Sequence, residues 1–175
     1  MTGTASSSYR ANVWLSYHQL QLRDANELGP EFPERWDNGL IAVADEPDGA
    51  TILTGISIGA VDVTVRLTEG PPPLDLDSWE EIVEVSIEST SGSLIVCGLD
   101  GDLPRLPNLA WQGKGFYRLR VHARGRDTDP DGSAATPVEH YLISSWPAEP
   151  QPDMPFKYAD VFGVNVRRRG QSQRG

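Results

Sequence analysis

Several stretches of the chain alternate between apolar and polar residues, and residues 116–124 show this pattern most clearly. A period of two residues is typical of a β-strand with one face on a core and the other in water. Glycine, aspartate and proline crowd residues 125–132, which predicts a turn before the apolar run at 138–146 and antiparallel pairing of the two strands. The apolar positions of the first strand are Tyr117, Leu119, Val121 and Ala123, and its polar positions are Arg118, Arg120, His122 and Arg124.

Other strands are predicted along the chain. In order they are residues 13–22, 40–44, 51–54, 61–67, 79–88 and 93–99. The second and third form a candidate hairpin, because the residues between them have the composition of a turn. The first is irregular, since its apolar residues change parity midway. This change predicts a β-bulge near Tyr17 or His18, or burial on both faces.

Short strands with almost no helix predict an all-β protein, an antiparallel β-sandwich of about eight strands. A closed barrel is the alternative. The proline-containing connections at 71–76 and 103–111 favour the sandwich, because they are typical of crossovers between two sheets.

Four regions are predicted from composition. They are a disordered N-terminal tail (1–10), the β-sandwich domain (11–147), an extended proline-rich segment docked on the domain (148–166) and a disordered basic tail (167–175). Residues beyond Asn165 are therefore expected to be removable without loss of stability.

Length and cysteine content indicate a single intracellular domain. The chain has 175 residues and one cysteine, Cys97, whose apolar neighbours predict a buried thiol. Residues 1–8 lack the apolar stretch of a secretory signal, and no segment approaches the roughly 18 apolar residues of a membrane span. A cytoplasmic protein without membrane contact is the expectation.

The charge distribution is strongly acidic. The formal net charge is −10, and the four arginines among the last nine residues leave −14 on residues 1–166. Such a surface repels phosphate backbones and attracts basic partners, so direct binding of nucleic acid is not expected. Solubility alone is the other interpretation of this charge.

No motif in the sequence specifically indicates a catalytic site or a metal site. The spacing of His18, His122 and His140 carries no metal-site signature, and strand parity predicts an exposed His122 and half-buried, hydrogen-bonded His18 and His140. Residues 127–132 superficially resemble a calcium loop, but Pro130 and the absence of flanking helices favour a solvated turn. No nucleophile motif, phosphate loop or acid–base pair is present. No enzyme activity, catalytic residue, metal or cofactor is predicted.

A basic row lies on the polar side of the strand at 116–124. One interpretation is a phosphate-binding stripe, since alternate strand residues project cations at about 7 Å intervals. Pairing with acids on neighbouring strands is favoured, because the body is acidic. The row comprises Arg118, Arg120, His122, Arg124 and Arg126, and the acids available to it are Glu84, Glu88 and Glu139.

The order and spacing of the predicted strands match those of a known protein family in seven segments: 15–20, 36, 39–45, 49–52, 63–67, 115–119 and 141–143. Through these segments the chain resembles the competence protein J family, inhibitors of a DNA-entry nuclease. The resemblance runs from about Trp14 to Trp146, and only the Ser-Tyr-His-Gln stretch at 16–19 is specific at the residue level. It implies a small, non-enzymatic, acidic β-protein that binds and silences a metal-dependent nuclease. The chain departs from the family in its longer loops at 24–35 and 71–78 and in its tail.

The leading hypothesis is therefore an acidic inhibitor or immunity protein whose partner is a basic, nuclease-like protein. Carboxylates in loops at the ends of the strands would stand in for DNA phosphates, whereas residues 16–19 are assigned to structure. The alternatives are an interaction module of a larger assembly and a small-ligand-binding β-sandwich. The candidate partner-binding residues are Asp75, Asp77, Glu80, Glu81, Asp100, Asp102, Asp127 and Asp129.

Overall fold

A computed structural model describes residues 6–25, 28–100 and 103–173. Strands dominate this part of the chain, and one helix follows them. The elements are β1 (Ser7–Ser16), β2 (Gln19–Asp24), β3 (Ile41–Val43), β4 (Gly49–Leu53), β5 (Ile58–Leu67), β6 (Glu81–Ser89), β7 (Leu94–Gly98), β8 (Gly115–Arg124), β9 (Ser133–Ala134), β10 (His140–Pro147), β11 (Met154–Tyr158) and α1 (Val161–Ser172).

The strands form a single mixed sheet that curls into a half-barrel. Its order is β11-β6-β8-β10-β5-β1-β2-β4-β3, with β7 paired to β2 and β9 to β5. Among the strand pairs of the described residues, the parallel ones are β5 with β10 and β5 with β9. The all-β prediction is confirmed, but the antiparallel sandwich of about eight strands is wrong. Alternation of apolar and polar residues shows which face of each strand is buried. It does not show whether the strands hydrogen-bond into one sheet or into two.

The half-barrel encloses one hydrophobic core. Leu15, Leu20, Ile52, Val63 and Leu119 are among the fully or almost fully buried residues of the cluster. Cys97 is buried beside this core, as its apolar neighbours predict. The predicted hairpin of β3 and β4 is present, as is the antiparallel pair of β8 and β10.

Residues 13–22 form the end of β1 and most of β2, and not one bulged strand. The chain reverses at Tyr17 and His18, whose φ angles are 55° and 61°, and Ser16 pairs with Gln19 across this tight turn. Because the direction reverses, Leu15 and Leu20 both enter the core although their parities differ. The change of parity therefore marks a hairpin.

The basic row is buried except at Arg124, contrary to the expectation that this face is in water. Arg118, Arg120 and His122 are each only 3% exposed. Proline-rich segments cover them: Arg118 Nη2 donates to Pro152 O at 2.8 Å, and Arg120 Nη1 donates to Pro72 O at 2.7 Å. Alternation along one strand cannot reveal a cover supplied by distant residues.

Neighbouring groups neutralise this covered row in part. Glu84 lies 3.6 Å from Arg118 and 3.5 Å from Arg120, so the predicted pairing with Glu84 is present. Glu139 instead accepts from the backbone N–H groups of residues 55 and 56. The prediction of an exposed His122 is wrong: its Nδ1 lies 2.9 Å from Leu142 O, and burial lowers its pKa to about 4.

Regular structure reaches close to both ends of the described chain. β1 begins at Ser7, inside the expected N-terminal tail, whose residues 1–5 lie outside the described part. The extended segment docks through β11, which pairs with β6, but α1 then occupies most of the expected basic tail. Asp160 caps α1, since its Oδ1 accepts from Gly163 N at 2.7 Å. Among the described residues, no helix combines the length and apolarity that crossing a membrane requires.

Candidate partner-binding surface

The sheet topology brings the predicted acidic loops to one end of the half-barrel. Antiparallel register places the end of β8 beside the start of β6, and the end of β1 beside the start of β5. The end of β7 lies there too, because Gly98 pairs with Leu20 just after the β1–β2 turn. Residues 75–80 precede β6, residue 100 follows β7 and residues 127–131 follow β8. We call this region the acidic end, defined by Asp75, Asp77, Glu80, Asp100, Asp127, Asp129 and Asp131.

Hydrogen bonds connect two of these loops directly. Glu80 Oε1 accepts from Gly125 N at 2.6 Å, and Glu80 N donates to Ala123 O at 3.0 Å. Arg124 Nη1 donates to Ser78 O at 3.3 Å. The loop before β6 and the loop after β8 are therefore held side by side.

The tip of the β1–β2 hairpin lies between two other carboxylates. Ser16 Oγ donates to Asp100 Oδ2 at 3.2 Å on one side. On the other side, His18 Nε2 lies 3.2 Å from Asp131 Oδ1. Tyr17 projects from this tip with 73% of its surface exposed.

The exposed carboxylates of the acidic end differ in their local roles. Asp75 accepts from the backbone N–H groups of Asp77 and Ser78, and its pKa is lowered chiefly by hydrogen bonds from Ser78. Asp127 accepts from the N–H groups of residues 161 and 162 at the start of α1 while remaining exposed. Asp77 and Asp129 are exposed as well.

Glu81 does not belong to this exposed set. It is fully buried, so the structure leaves no surface through which it could contact a partner. Its prediction as a binding residue rested on its position in an acidic run, and burial removes that basis. Asp102, the other predicted residue of the 100–102 loop, lies outside the described residues.

A group of charged side chains lies beneath the acidic end, and we call Arg126, Asp160, Glu81 and Arg167 the capping cluster. The first three are fully buried and Arg167 is partly buried. Arg126 Nε donates to Asp160 Oδ2 at 2.7 Å, and its Nη1 donates to the carbonyl oxygens of Gly39 and Leu53. Arg167 Nη1 donates to Glu81 Oε2 at 3.0 Å. These contacts fasten α1 across the end of the sheet.

The surroundings of Glu81 disfavour the ionised form of its carboxyl group. Burial, and next the negative Asp160 carboxylate, raise the pKa of Glu81 to about 7, although Arg126 and Arg167 act in the opposite direction. Sequence analysis missed Asp160 and Arg167. One signal was available: an aspartate directly before the apolar residues of 161–166 is a typical helix N-cap.

The histidines do not converge on a common site. His18 lies at the hairpin tip, His122 beneath Trp79, and His140 beside Asp62 with an Nδ1–Oδ2 distance of 2.8 Å. Within residues 6–25, 28–100 and 103–173, no group of three or more His, Cys, Asp or Glu side chains could hold a metal ion.

The chain is similar in fold to two solved structures. One is ComJ of Bacillus subtilis, described as an inhibitor of the DNA-degrading activity of NucA; it superposes with a TM-score of 0.59 at 17% identity, covering 84% of this chain and 100% of ComJ. The other, described as crocagin biosynthetic gene J, gives a TM-score of 0.51 at 15% identity, covering 83% of this chain and 99% of its own. The sequence matches no protein-family model and no curated protein. The predicted resemblance to the competence protein J family is thus confirmed as a remote, ComJ-like similarity of fold.

Proposed function

We propose that this protein is a non-enzymatic inhibitor of a DNA-degrading enzyme and that it binds that enzyme through the acidic end. The observation that carries the proposal is the convergence of three acidic loops at one end of a ComJ-like fold. In this proposal the partner is basic and metal-dependent, and the complex forms in the cytoplasm.

Physical chemistry supports a cationic partner. A DNA-degrading enzyme must attract a phosphate backbone, so its substrate groove carries positive charge. Exposed carboxylates on three adjacent loops present the opposite charge over a comparable surface. Complementary charge accelerates encounter and excludes partners of the same sign. The acidic end therefore occupies the groove in place of DNA.

The proposal is tested by recovering the partner and measuring its activity. The tagged full-length chain is expressed in its native host, the proteins that co-purify with it are identified, and any DNA-degrading enzyme among them is purified. We call this enzyme the captured nuclease. Degradation of plasmid DNA by the captured nuclease should stop when an equimolar amount of the chain is added. Recovery of no nuclease, or of one that the chain does not inhibit, contradicts the proposal.

Charge reversal tests the role of the acidic end within the same assay. The double variant Asp77→Lys/Asp129→Lys should slow association with the captured nuclease about tenfold or more at low salt, because steering depends on exposed charge. The matched control is Asp45→Lys/Glu46→Lys, two exposed acids in the β3–β4 loop at the opposite end of the sheet. Both variants should unfold within about 0.5 kcal/mol of the wild type, as is usual for surface changes. Equal association rates for the two variants would show that inhibition does not use the acidic end.

A further inference from the structure

The β1–β2 hairpin tip has a conformation that its residues do not favour. A two-residue turn with positive φ at both positions is normally formed by Asn-Gly or a similar pair, because a bulky residue there is sterically disfavoured. Here the two positions are Tyr17 and His18. Strain of this kind persists when the surroundings impose it, and it concentrates at functional sites.

The contacts of the two residues differ. His18 is held in place: its Nδ1 lies 2.8 Å from Thr54 O, and its backbone N donates to Ser57 O at 3.2 Å. Tyr17 is 73% exposed, so its ring gains little from burial within this chain. A large aromatic side chain at a strained, exposed position adds little to the stability of the fold. A role in contacting another molecule explains the presence of this side chain better than a role in folding.

Further exposed apolar side chains surround the tip. Alternate residues of a strand share a face, so Trp14 and Ser16 lie on the same outer face of β1, and Ile58 lies there too because it pairs with Ser16. Trp14 is 45% exposed and Ile58 is 42% exposed. Leu103 contributes to the wall of a small surface depression beside Trp14 and is 70% exposed. We call Trp14, Tyr17, Ile58 and Leu103 the tip patch.

Carboxylates border the tip patch. Asp100 accepts a hydrogen bond from Ser16 on one side, and Asp131 contacts His18 on the other. Exposed apolar groups within a charged rim have the organisation of a protein interface, in which aromatic residues supply most of the affinity and the rim sets orientation. The acidic rim matches a cationic partner and disfavours both a nucleic acid and a second copy of this acidic chain.

We infer that the tip patch is the energetic centre of the interface with the nuclease, with Tyr17 and Trp14 as its anchors, while the exposed carboxylates mainly accelerate encounter. This inference rests on the proposed function and adds to it a division of roles. The partner must present an apolar depression next to its cationic groove, into which the hairpin tip inserts. Affinity then depends on the aromatic anchors, and the association rate depends on the acids.

The test measures association and dissociation rates of the captured nuclease with three proteins. The first is Tyr17→Asn/Trp14→Thr, in which asparagine suits the positive φ of the turn and threonine suits a strand. The second is Asp77→Lys/Asp129→Lys. The third is the control Tyr9→Thr, which removes a 46% exposed aromatic residue from the opposite end of β1.

The aromatic variant should weaken binding about a hundredfold or more, through faster dissociation, with an association rate within about threefold of the wild type. Charge reversal should give the opposite kinetic pattern, and Tyr9→Thr should change neither rate. If Trp14→Thr impairs folding, Tyr17→Asn alone should still raise the dissociation rate about tenfold.

The possible failures are distinguishable. Wild-type inhibition combined with unchanged dissociation of the aromatic variant overturns the tip patch and leaves the proposed function standing. A wild-type chain that inhibits no captured nuclease overturns both. If Tyr9→Thr is as damaging as Tyr17→Asn, the anchors have no special role and the inference fails.

Discussion

The acidic end and the capping cluster are two groups of charged residues that lie next to each other and behave in opposite ways. Members of the two groups are adjacent in sequence at two points. Glu80 is partly exposed and Glu81 is fully buried, while Arg126 is fully buried and Asp127 is exposed. In the capping cluster each carboxylate contacts an arginine. At the acidic end, Asp77 and Asp129 instead face solvent.

This difference separates stability from recognition. A buried charge whose partner is removed costs several kcal/mol, whereas an exposed charge contributes little to folding because water screens it. The capping cluster should therefore tolerate almost no substitution, and the acidic end should tolerate many. Evolution can then alter the exposed loops toward a new partner while α1 stays fastened by the buried cluster.

The largest effect should follow from removing the central arginine of the capping cluster. Arg126→Met leaves the Asp160 and Glu81 carboxylates buried without the guanidinium that contacts both. It also leaves the Gly39 and Leu53 carbonyl oxygens without their donor. The free energy of unfolding should fall by about 3–5 kcal/mol, as measured by urea denaturation.

Arg124→Met is the matched control, because Arg124 is an exposed arginine two residues away that lies over the Trp79 ring. Its loss should cost about 1 kcal/mol or less. Similar costs for the two variants would mean that the capping cluster does not carry the stability assigned to it.

A smaller effect should follow from shortening α1. Truncation after Asn165 removes Arg167, which donates to Glu81 Oε2 at 3.0 Å and lies 3.8 Å from the Tyr158 ring centre. The loss should be about 1.5–3 kcal/mol, the usual value of a hydrogen bond to a charged group. For a chain of this length that corresponds to a fall in Tm of about 3–12 °C.

Truncation after Arg169 is the control, since it keeps Arg167 and removes only the end of the helix. It should lower Tm by less than about 2 °C. Composition alone leads to the opposite expectation, that everything beyond Asn165 can be removed at no cost. Equal melting temperatures for the two truncated chains and the wild type would restore that expectation.

Local pattern was sufficient for most strands and for their pairing when the partners are close in sequence. The alternation at 116–124 and the turn-rich residues after it identify β8, β10 and their antiparallel pairing. Long-range pairing was not predictable: nothing in β7 indicates that it joins β2, and nothing in β10 indicates a parallel neighbour in β5. A continuous half-barrel and a two-sheet sandwich have the same strand pattern and differ only in those contacts.

The acidic loops were also recognisable from sequence, whereas their exposure was not. Glu81 has the same local composition as Glu80, and its burial depends on Arg126 and Arg167, which arrive from distant parts of the chain. The sequence pattern assigns Tyr17 a structural role, because residues 13–22 are predicted to form one strand. The hairpin reversal, which the change of parity also allows, places it at an exposed tip.

The smallest effect concerns the protonation of Glu81, whose pKa burial and the Asp160 carboxylate raise from 4.5 to about 7. Between these values the native state retains a proton that the unfolded chain has lost, so the stability due to this group is complete below pH 4.5 and is lost as pH rises to 7. One proton changes stability by at most about 1.4 kcal/mol per pH unit.

Glu81→Gln imitates the protonated form and should lack this dependence. The difference in unfolding free energy, wild type minus variant, should therefore decrease from pH 5 to pH 7 and stay level above, as measured by urea denaturation at unit steps of pH. Glu88→Gln, at an exposed position near the other end of β6, controls for the loss of one negative charge. A difference that stays level from pH 5 to pH 7 would show that Arg126 and Arg167 keep Glu81 ionised over this range, and the capping cluster would then be a fully charged network.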